Sequence, residues 1–159
     1  MASNNPLVRL QRLWLLLHKL PGGRGLFSFI LGKIVPYSGS IGAKVISLKP
    51  GYAQLQLRDR RRVRNHLNSI HAIALANLGE YTSGLAMLGA LPANTRGIPT
   101  KISIEFYKKA RGCLIAESIC APPTNITEDT DFEVVTDIKD QQNDLVARTT
   151  VNWRLGLVE

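Results

Sequence analysis

The chain is short of cysteine, of acid and of aromatic side chains, and each shortage excludes something. Its 159 residues include two cysteines, Cys113 and Cys120, too few for a disulfide framework. Both fall in or at the end of one expected strand. Seven residues of strand span about 23 Å, far beyond the roughly 5.5 Å between Cα atoms that a disulfide needs. They read as free thiols of a reducing compartment, and the chain as cytoplasmic. Three scattered histidines, His18, His66 and His71, lack the paired spacing of a metal site, so no metal is expected.

Long apolar runs are also missing. A membrane-spanning helix needs about 20 apolar residues. The nearest candidate, residues 72–91, carries Asn77 and Glu80 near its middle. It reads as a core helix. Residues 7–20 carry Arg9, Arg12 and Lys19 through their apolar run and lead to no small-residue cleavage site, so they are not read as a signal peptide. Acid is scarce: 12 Asp and Glu against 20 Lys and Arg leave a net charge of +8 and a pI near 9.9. That balance points to an anionic partner. Aromatics make up 6% of the chain and none interleaves with the basic run 58–64, so nucleic acid is not the expected partner. With 45% apolar residues, the composition is that of one globular domain.

Asn5-Pro6 is a helix start, an N-cap followed by proline at the first helical position. Leu10, Leu13, Trp14 and Leu17 then recur at helical spacing, and Pro21-Gly22-Gly23 stops the run. A second helix is expected over 24–34. Strands are expected at 40–48 and 52–58, turning at Lys49-Pro50-Gly51. In the second of these Ala53, Leu55 and Leu57 alternate with polar residues. A loop over 59–69 leads into a long helix of about 70–90, with Asn68 or Ser69 as its cap. Further strands are expected at 99–109, 113–121, 131–139 and 144–154, the last two joined by residues 140–143. The order predicts an α+β fold, an antiparallel sheet wrapped around one long central helix. Residues 1–37 read as an N-terminal helical extension and 38–159 as the domain proper.

Chemistry concentrates around that helix. Asn65 and His71 lie in the loop entering it, where the free N–H groups of Ala72 and Ile73 and the positive dipole end suit a developing oxyanion. Glu80 stands in the middle of an otherwise apolar helix, a costly place for a carboxylate without a pocket or partner. Nine residues of helix give about 13.5 Å of rise and half a turn of net rotation. Glu80 and the His71 end therefore cannot meet at one reacting atom within a chain. If both act, a second copy must supply the other half, in a two-fold dimer with composite sites.

Asn65, then His71 six residues on, then Glu80 nine further resembles the motif of the hotdog-fold thioesterases, specifically the phenylacetate-pathway-like acyl-CoA thioesterases. The element order matches over roughly residues 38–155. The N-terminal helices and the Arg64-Asn65-His66 start of the loop resemble the domain-of-unknown-function 4442 branch. The resemblance implies a hotdog fold and hydrolysis of an acyl-CoA thioester by a homodimer or a dimer of dimers. Coenzyme A would enter only as part of the substrate. Glu80 would act as general base or nucleophile. The Ala72 and Ile73 N–H groups would polarise the carbonyl, Asn65 would position water or carbonyl, and His71 would shape the start of the helix. Ser83, beside Glu80 on the helix, and Thr100, on the next strand, are candidate ligand contacts. The family's Gly-Gly after the histidine is Ala72-Ile73 here, a departure that bears on hydrolysis more than on fold.

Other readings stand beside these. Glu80 would also suit an intersubunit salt bridge, and the domain would also suit binding an acyl group without turning it over. Within Arg58-Asp59-Arg60-Arg61-Arg62-Val63-Arg64, Arg62 and Arg64 are the candidates for holding coenzyme A phosphates; the alternative is a solvated loop. The first helix is expected to pack on the sheet or a second subunit rather than on a membrane.

Overall fold

The computed structural model describes residues 6–92 and 94–158. Asn5, read as a cap, lies outside them. Helices α1 (Pro6–Leu17), α2 (Gly23–Ile34) and the single turn α3 (Pro36–Gly39) precede strands β1 (Lys44–Lys49) and β2 (Tyr52–Arg58). Then come the long helix α4 (Ala72–Leu88) and strands β3 (Thr95–Phe106), β4 (Cys113–Ile119), β5 (Thr130–Lys139) and β6 (Leu145–Leu157). The six strands form one sheet in the order β1-β2-β4-β5-β6-β3, each antiparallel to its neighbours. The α+β architecture is therefore the expected one. No described helix is long and apolar enough to cross a membrane.

Alternation sets the faces of the sheet. Ala53, Leu55 and Leu57 of β2 are fully buried, while Gln54 on the other face donates to Glu117. Helix α4 lies against the apolar face and is buried on most sides, with Leu75, Leu78, Leu85 and Met87 in the core. Its approach is closest at Gly79. A Cβ there would lie 2.1 Å from Thr149 Oγ1 on β6, and the Gly79 carbonyl accepts a hydrogen bond from Thr136 Oγ1 on β5 at 3.0 Å. Only glycine permits that spacing.

The N-terminal helices join the same core. Trp14, Phe27 and Leu31 are buried in one cluster with Leu55, Leu78 and Leu114. Trp14 meets Phe27 edge to face, with ring centroids 5.0 Å apart. Gln11 Nε2 donates to the Gly89 carbonyl at the end of α4 (2.6 Å), and the Val45 N–H on β1 donates to Ser28 Oγ on α2 (2.9 Å). The β1 edge of the sheet is thus covered. Among the described residues no strand lies beyond the β3 edge, and Ile98, Ile102 and Phe106 on it are about half exposed. Of the alternating apolar residues at the end of this strand, Ile104 alone packs on the core.

The thiols of Cys113 and Cys120 are free, and burial pushes Cys120 up to about 11, which keeps it unreactive. The cap of α4 differs from expectation. His71, not Asn68 or Ser69, is the N-cap, its Nδ1 accepting from the Ile73 N–H at 3.1 Å. Asn68 is at φ 53°, in the left-handed region of a tight turn, and the Ser69 hydroxyl is committed to Asn65. The short α3 was not foreseen either.

The packing at Gly79 sets an expected outcome. Gly79→Ala should destabilise the fold by about 1–3 kcal/mol through overpacking. Gly25→Ala, on α2 with nothing within 4 Å of the added carbon, should stabilise it by about 0.5–1 kcal/mol. Urea denaturation of both variants checks this. Equal effects would show that the approach of helix and sheet at Gly79 is not tight.

Candidate functional site

Glu80 projects from the middle of α4 into a cavity of about 430 Å³ beneath the N-terminal helices. The walls are largely apolar, with Leu10, Trp14 and Leu31 on one side and Tyr81, Leu85 and Trp153 on the other. Among the described residues no side chain hydrogen-bonds or pairs with the Glu80 carboxylate. Burial alone raises its pKa. Burial also raises the neighbouring Tyr81, and the charge of Glu80 adds to the effect. An unpaired, half-buried carboxylate that resists ionisation is poised to take a proton. Gly84 keeps the space beside it open: a Cβ there would lie 3.4 Å from the Trp153 ring and 4.0 Å from Glu80 Oε1. The Trp153 Nε1–H is buried with no partner among the described residues, an unsatisfied donor on a residue of the same cavity wall.

The loop before α4 is tightly built. Asn65 Oδ1 accepts from the Leu67 N–H (2.9 Å), the Ser69 N–H (3.2 Å) and the Ser69 hydroxyl (3.2 Å). With its oxygen occupied by the turn, Asn65 has its amide Nδ2–H to offer a ligand. The Asn65 backbone N–H donates to Ser69, and the Ile70 and His71 N–H groups donate to Ala110 and Val63. This fixes where α4 begins. Asn65 and Ala72 share a shallow cavity of about 350 Å³ with Lys108 and Lys109.

His71, Ile73, Arg62 and Arg64 surround another cavity, of about 370 Å³. Arg64 is paired with Asp59 at 2.6 Å, which holds that carboxyl below its usual range. Arg62 donates to the Ser40 carbonyl and pairs with no carboxylate among the described residues. It also lines a groove of about 620 Å³ together with Lys33, Lys44, Arg58 and Arg60 and no carboxylate. Residues 35–40 form the partition between the two environments. Val35 and Ser38 line the apolar cavity of Glu80; Pro36, Gly39 and Ser40 line the basic groove.

The structure thus brings Arg62, Arg64, His71 and Ile73 together, and Asn65 with Ala72, while Glu80 stands in a separate cavity. Ser83 is fully buried and donates to the Glu80 carbonyl at 2.8 Å, away from the cavity. Thr100 is exposed on β3 and donates to the Asn152 carbonyl at 3.1 Å. Sequence reasoning missed Gln11, Trp14, Leu31 and Trp153 around Glu80. The apolar face of α1 was visible in the spacing of Leu10, Trp14 and Leu17. What that face covers lies some sixty to seventy residues further along the chain, beyond the reach of a periodicity. Lys33 and Lys44 were missed in the basic groove for the same reason.

No curated protein matches the chain. Among solved structures, a genomics target, APC5556, is 26% identical with a TM-score of 0.81, covering 94% of this chain and 99% of its own. The Pseudomonas aeruginosa protein PA5026, described as a "Probable Thioesterase", is 19% identical with a TM-score of 0.71, covering 87% of this chain and 97% of its own. The Streptococcus mutans protein smu.793, solved bound to acetyl CoA, is 18% identical with a TM-score of 0.62, covering 74% of this chain and 91% of its own. The shared architecture, one long helix wrapped by an antiparallel sheet, is the hotdog fold. The family model for the domain of unknown function DUF4442 matches residues 23–155, most of the chain, and the protein belongs to that family.

Proposed function

We propose that the protein is an acyl-CoA thioesterase that works as a cytoplasmic homodimer, without metal or redox cofactor. The observation that carries this reading is Glu80: an unpaired carboxylate with a raised pKa on the wall of an apolar cavity. The hotdog relative bound to acetyl CoA supports the ligand class. In the reaction, the Glu80 carboxylate accepts a proton from water as the water oxygen bonds to the thioester carbon. The carbonyl oxygen gathers negative charge, which the first-turn N–H groups of α4 receive. The C–S bond then breaks, and the coenzyme A sulfur leaves with the proton held by Glu80.

Those first-turn N–H groups stand roughly 10–12 Å along α4 from Glu80, so we assign them to the partner. The uncovered β3 edge is the surface on which a second copy would pair. A strand of 12 residues with half-exposed Ile98, Ile102 and Phe106 is otherwise open to aggregation. Arg62, and Arg64 to the extent that Asp59 leaves it free, would hold the phosphates of coenzyme A beside His71. A second reading, binding without turnover, is favoured by one observation. The Ile73 N–H is already taken by His71 Nδ1, which removes one of the two N–H groups, of Ala72 and Ile73, expected to polarise the carbonyl.

Glu80→Gln should lower kcat/KM on acyl-CoA substrates by about 10²-fold or more. The parent's rate should fall as the pH drops through the raised pKa of Glu80. Hydrolysis at the parent rate by the variant would remove Glu80 as the base. No hydrolysis of short, long or aromatic acyl-CoAs by the parent would favour binding without turnover.

Stability gives a second readout. A folded-state pKa raised above the unfolded value means that the folded state holds its proton longer. Stability is therefore lost as the pH rises from the ordinary glutamate range through the raised pKa. Glu80→Gln should melt higher than the parent at pH 7, and the difference should shrink towards pH 4. A constant difference would contradict the burial of the charge.

The composite site is tested by mixing. Glu80→Gln and Asn65→Ala, each inactive alone, should recover roughly a quarter of parent activity when subunits exchange. No recovery would show that Glu80 and Asn65 do not act together in a composite site.

A further inference from the structure

We propose that the N-terminal helices roof the acyl cavity and set the chain length it accepts, so that the substrate is a medium-length aliphatic acyl group rather than a short or aromatic one. This rests on the thioester reading above for the identity of the head group.

Shape carries the argument. The cavity runs along α4 from Glu80 to Gly89, nine residues and so about 13.5 Å. A slot of that length with apolar walls suits an extended hydrocarbon better than a compact ring. Its volume of about 430 Å³, against about 30 Å³ for a group the size of a water molecule, admits on the order of ten carbons. Glu80 stands at one end, where the thioester must lie. At the far end the Gln11 Nε2–H bond to the Gly89 carbonyl, 2.6 Å long, ties α1 to the end of α4. Trp14 and Leu31, both buried, form the roof between. They belong to α1 and α2, not to the sheet-and-helix body, so the chain-length limit resides in the N-terminal segment. Leu10, on the same face of α1 as Trp14, is placed to shorten or lengthen the slot.

The cavity carries its own reporter. The protein has two tryptophans, Trp14 and Trp153, and both line it. The probes are non-hydrolysable S-alkyl coenzyme A thioethers (ethyl, hexyl, decyl and hexadecyl) added to the full chain, with tryptophan emission recorded. Affinity should rise at least about tenfold from ethyl to decyl, with a saturable change in emission, and should gain nothing further at hexadecyl. Leu10→Phe should move the optimum to a shorter chain. Gln11→Ala, which unties the far end, should move it to a longer one, and it keeps the test alive should Leu10→Phe not fold. Equal affinity for all four probes, an unchanged emission, or an optimum that neither variant moves would overturn the proposal. Graded binding without turnover of the corresponding thioesters would leave it standing and sink the thioesterase reading. Turnover indifferent to chain length would do the reverse.

Discussion

The contact at Gly79 is the constraint on which the rest depends. A helix lying at ordinary distance from a sheet leaves room for side chains on both surfaces. Here the α4 backbone comes down onto Thr136 and Thr149, close enough for the Gly79 carbonyl to accept a hydrogen bond from the sheet. The neighbouring Glu80 is about 100° further round the helix and faces the cavity between α4 and the N-terminal helices. Pressing the helix down at residue 79 therefore brings residue 80 to the edge of the core, half-buried rather than solvated. The raised pKa of Glu80 follows from backbone placement and needs no neighbouring acid.

A carboxylate so placed would be ordinary if water reached it freely. The N-terminal helices restrict that access. Trp14 and Leu31 lie over the flank of α4, and the Gln11 bond ties α1 to its end, so the space beside Glu80 is a largely apolar cavity that opens to solvent only in part. The same segment organises the charge. Residues 35–40 present Val35 and Ser38 to the apolar cavity while the basic groove, with Arg58, Arg60 and Arg62, lies on their other side. One short stretch thus divides a surface suited to hydrocarbon from one suited to phosphate, and acyl-CoA carries both.

Much of this was legible in the sequence, and what was not has a common physical cause. The alternation in β2, the turn at Gly51 and the single long small-residue helix each follow from local spacing, and each is where expected. Asn65, His71 and Glu80 stood out through residue type and context, and the nine-residue spacing already placed them too far apart to share one site in a single chain. The cap of α4 was misread because Asn68 and Ser69 are better caps by type. The Asn68 backbone and the Ser69 backbone and hydroxyl are used by the turn that Asn65 organises, which leaves His71 to cap. The roof over Glu80 and the basic contributions of Lys33 and Lys44 are contacts between distant parts of the chain. Periodicity tells that a helix has an apolar face and is silent on which residues that face will meet.

The separation of Glu80 from the start of α4 has a further consequence for how such a site holds together. The carboxylate sits where its charged form is disfavoured, and the cationic, N–H-rich end of the helix sits where negative charge is welcome. Within one chain these two environments are kept apart by the length of α4, so neither neutralises the other: Arg62 and Arg64 cannot lower the pKa of Glu80, and Glu80 cannot occupy the anion-binding end. A two-fold arrangement across the β3 edge would bring the unlike ends together only with a ligand between them. The ligand's carbonyl would then face N–H donors from one copy while its water faces the base of the other. That geometry would keep the base basic and the Ala72 N–H open until substrate arrives, which a site built from one helix of this length could not do.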